Sequence, residues 1–130
     1  MNILATDMDG TFLDHLGSYD KVRLDKLLDA CEAKNYVFTV ASGRSLLALE
    51  ELFDGFVDRI AIIAENGALV QYKGEVLFES KLEPKDYLEI ADTTSALPTC
   101  EGILLSGRRG AYAPEDADPA YLKAMERYYE

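Results

Sequence analysis

An apolar stretch near the start of the chain ends abruptly in two acidic residues and a glycine. Residues 3–6 (Ile-Leu-Ala-Thr) run directly into Asp7-Met8-Asp9-Gly10. This change in composition predicts a buried strand that ends at a surface loop. In an open α/β sheet, ligands bind beyond the carboxyl ends of the strands. We therefore expect Asp7 and Asp9 to lie where a ligand would bind.

Two carboxylates this close repel each other, and both are poorly solvated at the end of a buried strand. A hard cation such as Mg²⁺ would keep both ionised, because its preferred ligands are oxygen atoms. With the ion neutralising a transferring phosphoryl group, one Asp could attack phosphorus and the other could transfer a proton. The alternative is a solvated turn, since Asp and Gly form turns in any context. Local composition favours the two interpretations about equally.

Strand-like segments alternate with helical patterns in the first half of the chain. Apolar residues recur at helical spacing between charged ones, and continuous apolar and β-branched runs follow. The order strand, helix, strand predicts parallel pairing with right-handed crossovers. The predicted elements are strands at 1–6, 36–41 and 60–64, helices at 20–34 and 45–53, and a hairpin of 69–72 with 76–78.

Small polar residues follow the second and third predicted strands. Ser42 and Gly43 suit a phosphate, because a glycine lets the backbone approach, a hydroxyl donates, and a helix N-terminus favours an anion. The alternative is that Ser42 caps the helix. Arg44 could reach a substrate anion or pair with acids on its own helix, and the sequence does not decide between these. Asn66-Gly67 requires no more than a tight turn.

The second part of the chain reads as a small α+β segment. Arg108 and Arg109 in its central turn could contact a phosphate, although basic turn residues are more often solvated. The predicted elements are a helix from Pro84, short strands at 102–105 and 111–113 around a turn at 107–110, and a helix opened by Asp118-Pro119. We divide the chain into domains at 1–82 and 83–130.

The composition limits the partners and the compartment. A formal net charge of -11 argues against nucleic acid or an anionic membrane as a partner, because both reward a basic face. No apolar run approaches transmembrane length and no leader pattern opens the chain, so we expect a cytoplasmic protein. Cys31 and Cys100 have no metal-ligand spacing and are expected to be buried thiols rather than a disulfide.

Three short motifs together carry a resemblance to a known family. Residues 7–13 (DMDGTFL) resemble the first signature of the haloacid dehalogenase-like (HAD) phosphatases. Residues 41–44 (ASGR) are similar to the second signature, and 65–68 (ENGA) are typical of the Cof-like sugar-phosphate phosphatases. The resemblance implies an α/β fold: an incomplete HAD core with a Rossmann-like parallel sheet, followed by the start of an inserted α+β cap.

The resemblance also implies an activity and a role for each matching residue. The activity is Mg²⁺-dependent hydrolysis of a small phosphorylated metabolite, a sugar phosphate above all, through an aspartyl-phosphate. Asp7 would be the nucleophile and a metal ligand, while Asp9 would be the acid/base and would give its carbonyl oxygen to the metal. The implied substrate- and phosphate-binding residues are Thr11, Ser42, Gly43, Arg44 and Asn66.

The family pattern is only partly present in the 130 residues. Its phosphate-binding lysine and second acidic motif have no match, so we expect a truncated product or a fragment of a larger phosphatase. Three parallel strands wound to one side leave the first strand at an open edge, which favours self-association. The alternative function is a non-catalytic or self-associating module with a residual phosphate and metal half-site. A receiver-like phosphoacceptor is disfavoured, because the third strand ends in Glu65-Asn66 rather than in an aspartate.

Overall fold

A computed structural model describes residues 1–126 and 128–129 of the chain. Its main feature is a five-stranded sheet whose strands lie side by side in sequence order. The strands are β1 (Asn2–Asp7), β2 (Tyr36–Ala41), β3 (Ala61–Ala64), β4 (Leu69–Tyr72) and β5 (Glu75–Glu79). The first three pair in parallel, and β4 and β5 add to them in antiparallel. The predicted α/β sheet and its hairpin are thus confirmed.

Two helices connect the parallel strands, α1 (Lys21–Ala33) and α2 (Leu46–Leu52). The apolar spacing of α1 places Leu24, Leu28 and Cys31 on one face, and all three are buried against the sheet. Asp20 begins this helix by accepting the Arg23 N–H at 3.0 Å. The buried face of α2 completes the same core through Ala48, Leu49 and, just beyond the helix, Phe53.

Four aromatic rings pack together at the end of this core that lies next to the β1 loop, the segment Met8–Phe12 that follows β1. They are Phe12, Tyr19, Phe38 and Phe53, with centroids 5.1–6.0 Å apart in the contacting pairs. The Tyr19 hydroxyl donates to the carbonyl of Leu52 at 2.9 Å. Burial raises the pKa of Tyr19, with a smaller contribution from the charge of Asp54.

A single arginine ties α1 to the segment before β3. Arg59 lies in a short 3₁₀ turn (Val57–Arg59), and its guanidinium contacts three carboxylates of α1. The partners are Glu32 at 2.8 Å, Asp29 at 2.7 Å and Asp25 at 2.7 Å. Hydrogen bonds to these acids, that to Glu32 foremost, raise the pKa of Arg59. The network holds α1 against the sheet at the end opposite the β1 loop.

The second part of the chain contains α3 (Pro84–Ser95), the β6 (Leu105–Gly107) and β7 (Gly110–Tyr112) hairpin, and α4 (Pro119–Met125). The predicted first strand at 102–105 is wrong, because a two-residue turn at 108–109 fixes the register as Leu105 with Tyr112 and Gly107 with Gly110. Gly102 instead packs against the ring of Tyr121. The division into domains at residue 82 stays a prediction.

β1 is an edge strand, as the crossover pattern predicts, but it is not buried. Ile3 is 66% exposed and Leu4 is 41% exposed, since β2 is the only strand that pairs with β1 within the described residues. The expected burial of this strand is therefore wrong for this structure. Cys31 and Cys100 are both free thiols as predicted, but only Cys31 is buried as expected, and Cys100 is half-buried. In the described part of the chain, no helix has the length and apolar character needed to span a bilayer.

Candidate active site

Parallel pairing brings the ends of three strands to the same edge of the sheet. Asp7 lies level with Ala41 of β2, and Ala41 lies level with Ile63 of β3. The residues that follow these three positions are the acidic loop, the Ser42 turn and the Glu65–Gly67 turn. The three motifs, which are far apart in sequence, therefore meet at one edge.

The acidic loop is built on a tight turn directly after β1. Asp9 (φ -71°, ψ 118°) and Gly10 (φ 77°, ψ 2°) occupy the central positions of a type II turn, whose second position requires a positive φ. Met8 is fully buried beneath the turn, whereas Asp7 and Asp9 on either side of it are exposed. The hydroxyl of Thr11 donates to Asp7 Oδ2 at 3.4 Å. The burial of Met8 thus leaves the carboxylates of Asp7 and Asp9 at the surface.

The turn after β2 leaves Ser42 free of any helix-capping role. The helix cap is Ser45, whose hydroxyl oxygen accepts the N–H of Ala48 at 3.2 Å. The Ser42 hydroxyl oxygen instead accepts the N–H of Arg44 at 3.2 Å. The cap interpretation of Ser42 is therefore wrong.

The turn after β3 is joined to the turn after β2 by main-chain hydrogen bonds. Ser42 N–H donates to the carbonyl of Ile63 at 2.9 Å, and Asn66 N–H donates to the carbonyl of Ser42 at 3.2 Å. A third bond runs from Glu65 N–H to the carbonyl of Arg44 at 3.0 Å. These bonds hold Glu65 and Asn66 at positive φ values of 53° and 54°, which side chains other than glycine rarely adopt.

Gly43 is required where these two turns meet. A Cβ at this position would lie 2.9 Å from Oδ1 of Asn66 and 3.2 Å from its Nδ2. The absence of a side chain therefore lets the amide of Asn66 pack directly on the main chain of the Ser42 turn. Of the predicted binding residues, Ser42, Gly43 and Asn66 form one contiguous group.

Arg44 joins the acidic loop to the Ser42 turn. Its Nε donates to Asp9 Oδ2 at 3.0 Å and its Nη2 donates to Asp9 Oδ1 at 2.6 Å, so the contact is bidentate. The Arg44 side chain is 8% exposed, whereas that of Asp9 is 42% exposed. The sequence left Arg44 between a substrate anion and acids on its own helix. The structure pairs it with an acid of the loop after β1, so the pairing on its own helix is wrong, and contact with a substrate anion stays a prediction.

Tyr128 is a site neighbour that sequence reasoning missed. Its ring lies over the Arg44 guanidinium, with the Cζ atom 5.4 Å from the ring centroid. Its carbonyl oxygen accepts the N–H of Ser45 at 2.9 Å. No local pattern near residue 128 could have indicated this contact, because it arises only when the second part of the chain folds back on α2.

The donor set at this edge suits Mg²⁺ better than a metal that needs a full protein cage. Among the described residues, no group of three or more His, Cys, Asp or Glu side chains could hold a metal ion. Mg²⁺ commonly binds through one or two carboxylates and completes its shell with water and substrate phosphate. The exposed carboxylate of Asp7 fits this pattern, while the carboxylate of Asp9 is engaged by Arg44.

A cleft of about 910 Å³ lies beside the site, between the sheet and the β6–β7 hairpin. Glu79 and Arg108 close one side of it with two contacts of 2.9 and 2.8 Å. The hydrogen bond from Arg108 and the nearby Lys81 lower the pKa of Glu79. The hydroxyl of Ser106 donates to the carboxylate of Glu65, which links the hairpin to the turn after β3. Glu65, the residue before Asn66, is thus part of the lining of this cleft.

Comparison with known proteins gives relatives along the whole chain. The chain is 30% identical over 129 residues to 5-amino-6-(5-phospho-D-ribitylamino)uracil phosphatase YbjI of Escherichia coli K12. The alignment covers 99% of this chain and 47% of the relative. A solved structure from Streptococcus mutans UA159 superposes with a TM-score of 0.89 at 28% identity, over 98% of this chain and 48% of that one. The chain therefore spans about half the length of the relatives it matches.

More distant structures share the fold. A haloacid dehalogenase-like hydrolase from B. subtilis has a TM-score of 0.75 at 19% identity, covering 97% of this chain and 43% of its own. A HAD subclass IIB sugar phosphatase has a TM-score of 0.69 at 20% identity, and the match covers 98% of this chain and 49% of that one. The family model for haloacid dehalogenase-like hydrolases matches residues 4–130. The resemblance carried by the three motifs is confirmed, and the chain belongs to the haloacid dehalogenase-like hydrolase family.

Proposed function

We propose that this chain carries the nucleophile half of a Mg²⁺-dependent phosphatase that acts on a small phosphorylated metabolite of the sugar-phosphate class. The observation that carries the proposal is the position of Asp7, exposed at the end of β1 and level with the residue that precedes the Ser42 turn. The name of the E. coli relative, a phosphatase of a phosphoribityl compound, supports the substrate class.

Asp7 is the proposed nucleophile. One of its carboxylate oxygens forms a bond to phosphorus while the bond from phosphorus to the alcohol oxygen breaks, which gives an aspartyl-phosphate and an alcohol. The leaving oxygen takes a proton from Asp9. Water then attacks phosphorus and returns its proton to Asp9, which regenerates the free carboxylate of Asp7 and releases phosphate. The carboxylate of Asp7 and the carbonyl oxygen of Asp9 would hold Mg²⁺, which would neutralise charge on the transferring group.

Ser42 and Gly43 are the proposed phosphate donors. The Ser42 oxygen already accepts the N–H of Arg44, which leaves the hydroxyl proton available to a phosphate oxygen. Gly43 exposes its main chain beside the amide of Asn66, so these groups offer donors on one side of the incoming phosphate. Thr11 supports the loop by its hydrogen bond to Asp7.

Arg44 and Asp9 must separate for Asp9 to transfer a proton, because Arg44 engages both of its carboxylate oxygens. We propose that the substrate phosphate supplies Arg44 with an alternative anionic partner. Binding of substrate would then release the Asp9 carboxylate, which would gain a proton from water and give it to the leaving oxygen.

Hydrolysis of a panel of sugar phosphates by the purified chain tests the proposal. We expect phosphate release that requires Mg²⁺ and falls by at least about 100-fold in Asp7→Asn. The matched control is Asp58→Asn, which changes an exposed aspartate of the Val57–Arg59 turn and should retain turnover. Turnover that persists in Asp7→Asn would overturn the proposal, and a wild-type chain that releases no phosphate with Mg²⁺ present would favour the alternative of a non-catalytic module.

The exposed edge of β1 favours a second candidate function, self-association through this edge with another copy of the chain. Ile3 and Leu4 present apolar side chains there, and an edge strand offers unpaired main-chain groups to a partner strand. Sedimentation equilibrium should then give the mass of a dimer for the wild type and of a monomer for Ile3→Lys. A monomer at all concentrations would exclude self-association.

Both cysteines are free, which suits the cytoplasm that we propose as the site of action.

A further inference from the structure

We propose that Tyr128 is a positioning residue for Asp9 in the substrate-free chain and that it acts through Arg44. The proposal rests on the proposed function, in which Asp9 transfers the proton. Three observations carry it: the bidentate Arg44–Asp9 pair, the ring of Tyr128 over the guanidinium, and the bond that fixes the main chain of Tyr128 to Ser45.

The guanidinium of Arg44 is held on two different sides. Asp9 takes its edge through Nε and Nη2, and Tyr128 covers its face at 5.4 Å from Cζ to the ring centroid. An arginine side chain has many rotamers, and a planar ring over its face reduces the number that remain accessible. The whole Arg44 residue is only 7% exposed, so water does not compete strongly for it.

Tyr128 is itself fixed to the segment from which Arg44 emerges. Its carbonyl oxygen accepts the N–H of Ser45 at 2.9 Å, and its own N–H donates to the carbonyl of Met125 at 2.9 Å. Ser45 is the residue after Arg44 and caps α2. The ring and the guanidinium are therefore anchored to neighbouring residues, and the end of α4 determines where the ring lies.

This arrangement links the second part of the chain to the acidic loop. If Tyr128 moved away from Ser45, its ring would be withdrawn from Arg44, and the guanidinium would lose the face contact that keeps its edge directed at Asp9. The orientation of the Asp9 carboxylate then depends on a residue more than a hundred positions away in sequence. Tyr128 touches no reacting atom in this account and acts on Asp9 by orienting Arg44.

Nuclear magnetic resonance of the full chain tests this without requiring turnover. The Arg44 Hε proton is bonded to Asp9 Oδ2 and should exchange slowly with water in the wild type. We expect Tyr128→Leu to accelerate that exchange by about fivefold or more and to shift the Asp9 carboxylate carbon resonance. Tyr128→Phe keeps the ring, so both signals should stay at their wild-type values.

The matched control is Tyr36→Leu, the same substitution at a half-exposed tyrosine at the start of β2. It should leave both Arg44 and Asp9 signals unchanged, and the backbone amide spectrum of each variant reports whether the chain is folded. Unchanged Arg44 and Asp9 signals in folded Tyr128→Leu, or a Tyr128→Phe variant as altered as Tyr128→Leu, would overturn the proposal. Because these signals do not depend on hydrolysis, a chain without phosphatase activity would contradict the proposed function and leave this test intact.

Discussion

The Arg44–Asp9 pair offers a direct measure of how firmly the acidic loop is held to the Ser42 turn. Replacing Arg44 by Gln or Asp9 by Asn removes one charge and keeps a polar side chain of similar size. Each single variant removes one member of the pair, and the double variant removes both. A double-mutant cycle on these variants isolates the pairwise energy.

The expected energy follows from the geometry and the exposure of the two side chains. Two charge-assisted hydrogen bonds at 3.0 and 2.6 Å hold a guanidinium whose side chain is 8% exposed. Breaking a fully buried pair costs about 3–5 kcal/mol. Asp9 is 42% exposed, so water can replace part of the interaction. We therefore expect a coupling energy of about 1.5–2.5 kcal/mol, between the surface and the buried cases.

Urea denaturation of the wild type and the three variants gives the four free energies of unfolding that the cycle needs. The exposed Lys81, which lies 3.2 Å from Glu79, provides the comparison. Lys81→Gln should change the free energy of unfolding by less than about 0.5 kcal/mol. A coupling energy for Arg44 and Asp9 below about 0.5 kcal/mol would refute the claim that this pair joins the two loops.

Three further predictions concern contacts outside the site. Arg59→Gln should lower the free energy of unfolding by roughly 1–2 kcal/mol in urea, because three partly exposed pairs are lost and the acids of α1 then repel one another. Tyr19→Phe should cost about 1 kcal/mol in the same assay, since the carbonyl of Leu52 loses its donor. The pKa of Glu79, measured by carbon-detected NMR, should lie below that of an unpaired glutamate and should rise in Arg108→Gln. The stabilisation from this pair is complete above the ordinary pKa of a glutamate and is lost as the pH falls through the lowered value. A cost near zero for Arg59→Gln or Tyr19→Phe, or an unchanged Glu79 pKa in Arg108→Gln, would contradict these expectations.

Local patterns were sufficient to predict most of the sheet. The apolar runs of β2 and β3 and the helical spacing of α1 are encoded within each segment, and the order of elements then determines parallel pairing. The exposure of Ile3 and Leu4 was not predictable in this way, because the burial of a strand depends on its neighbours and not on its composition. The predicted position of β6 was wrong for a related reason, because the turn at 108–109 sets the register of the hairpin.

The site shows the same division between local and distant information. The strand-end positions of Asp7 and Ser42 follow from the strands that precede them. Ser42 and Ser45 are both plausible helix caps, and only the hydrogen bonds distinguish them. The partners of Arg44 could not be predicted, because Asp9 lies 35 residues before it and Tyr128 lies in another part of the fold.

The central claim is that the carboxylate of Asp7 receives a phosphoryl group, and beryllium fluoride tests it most directly as an analogue of that group on a carboxylate. Fluorine NMR of the chain with Mg²⁺ and beryllium fluoride should show a bound resonance that disappears in Asp7→Asn and persists in Asp58→Asn. Absence of a bound resonance in the wild type, or its persistence in Asp7→Asn, would contradict the account.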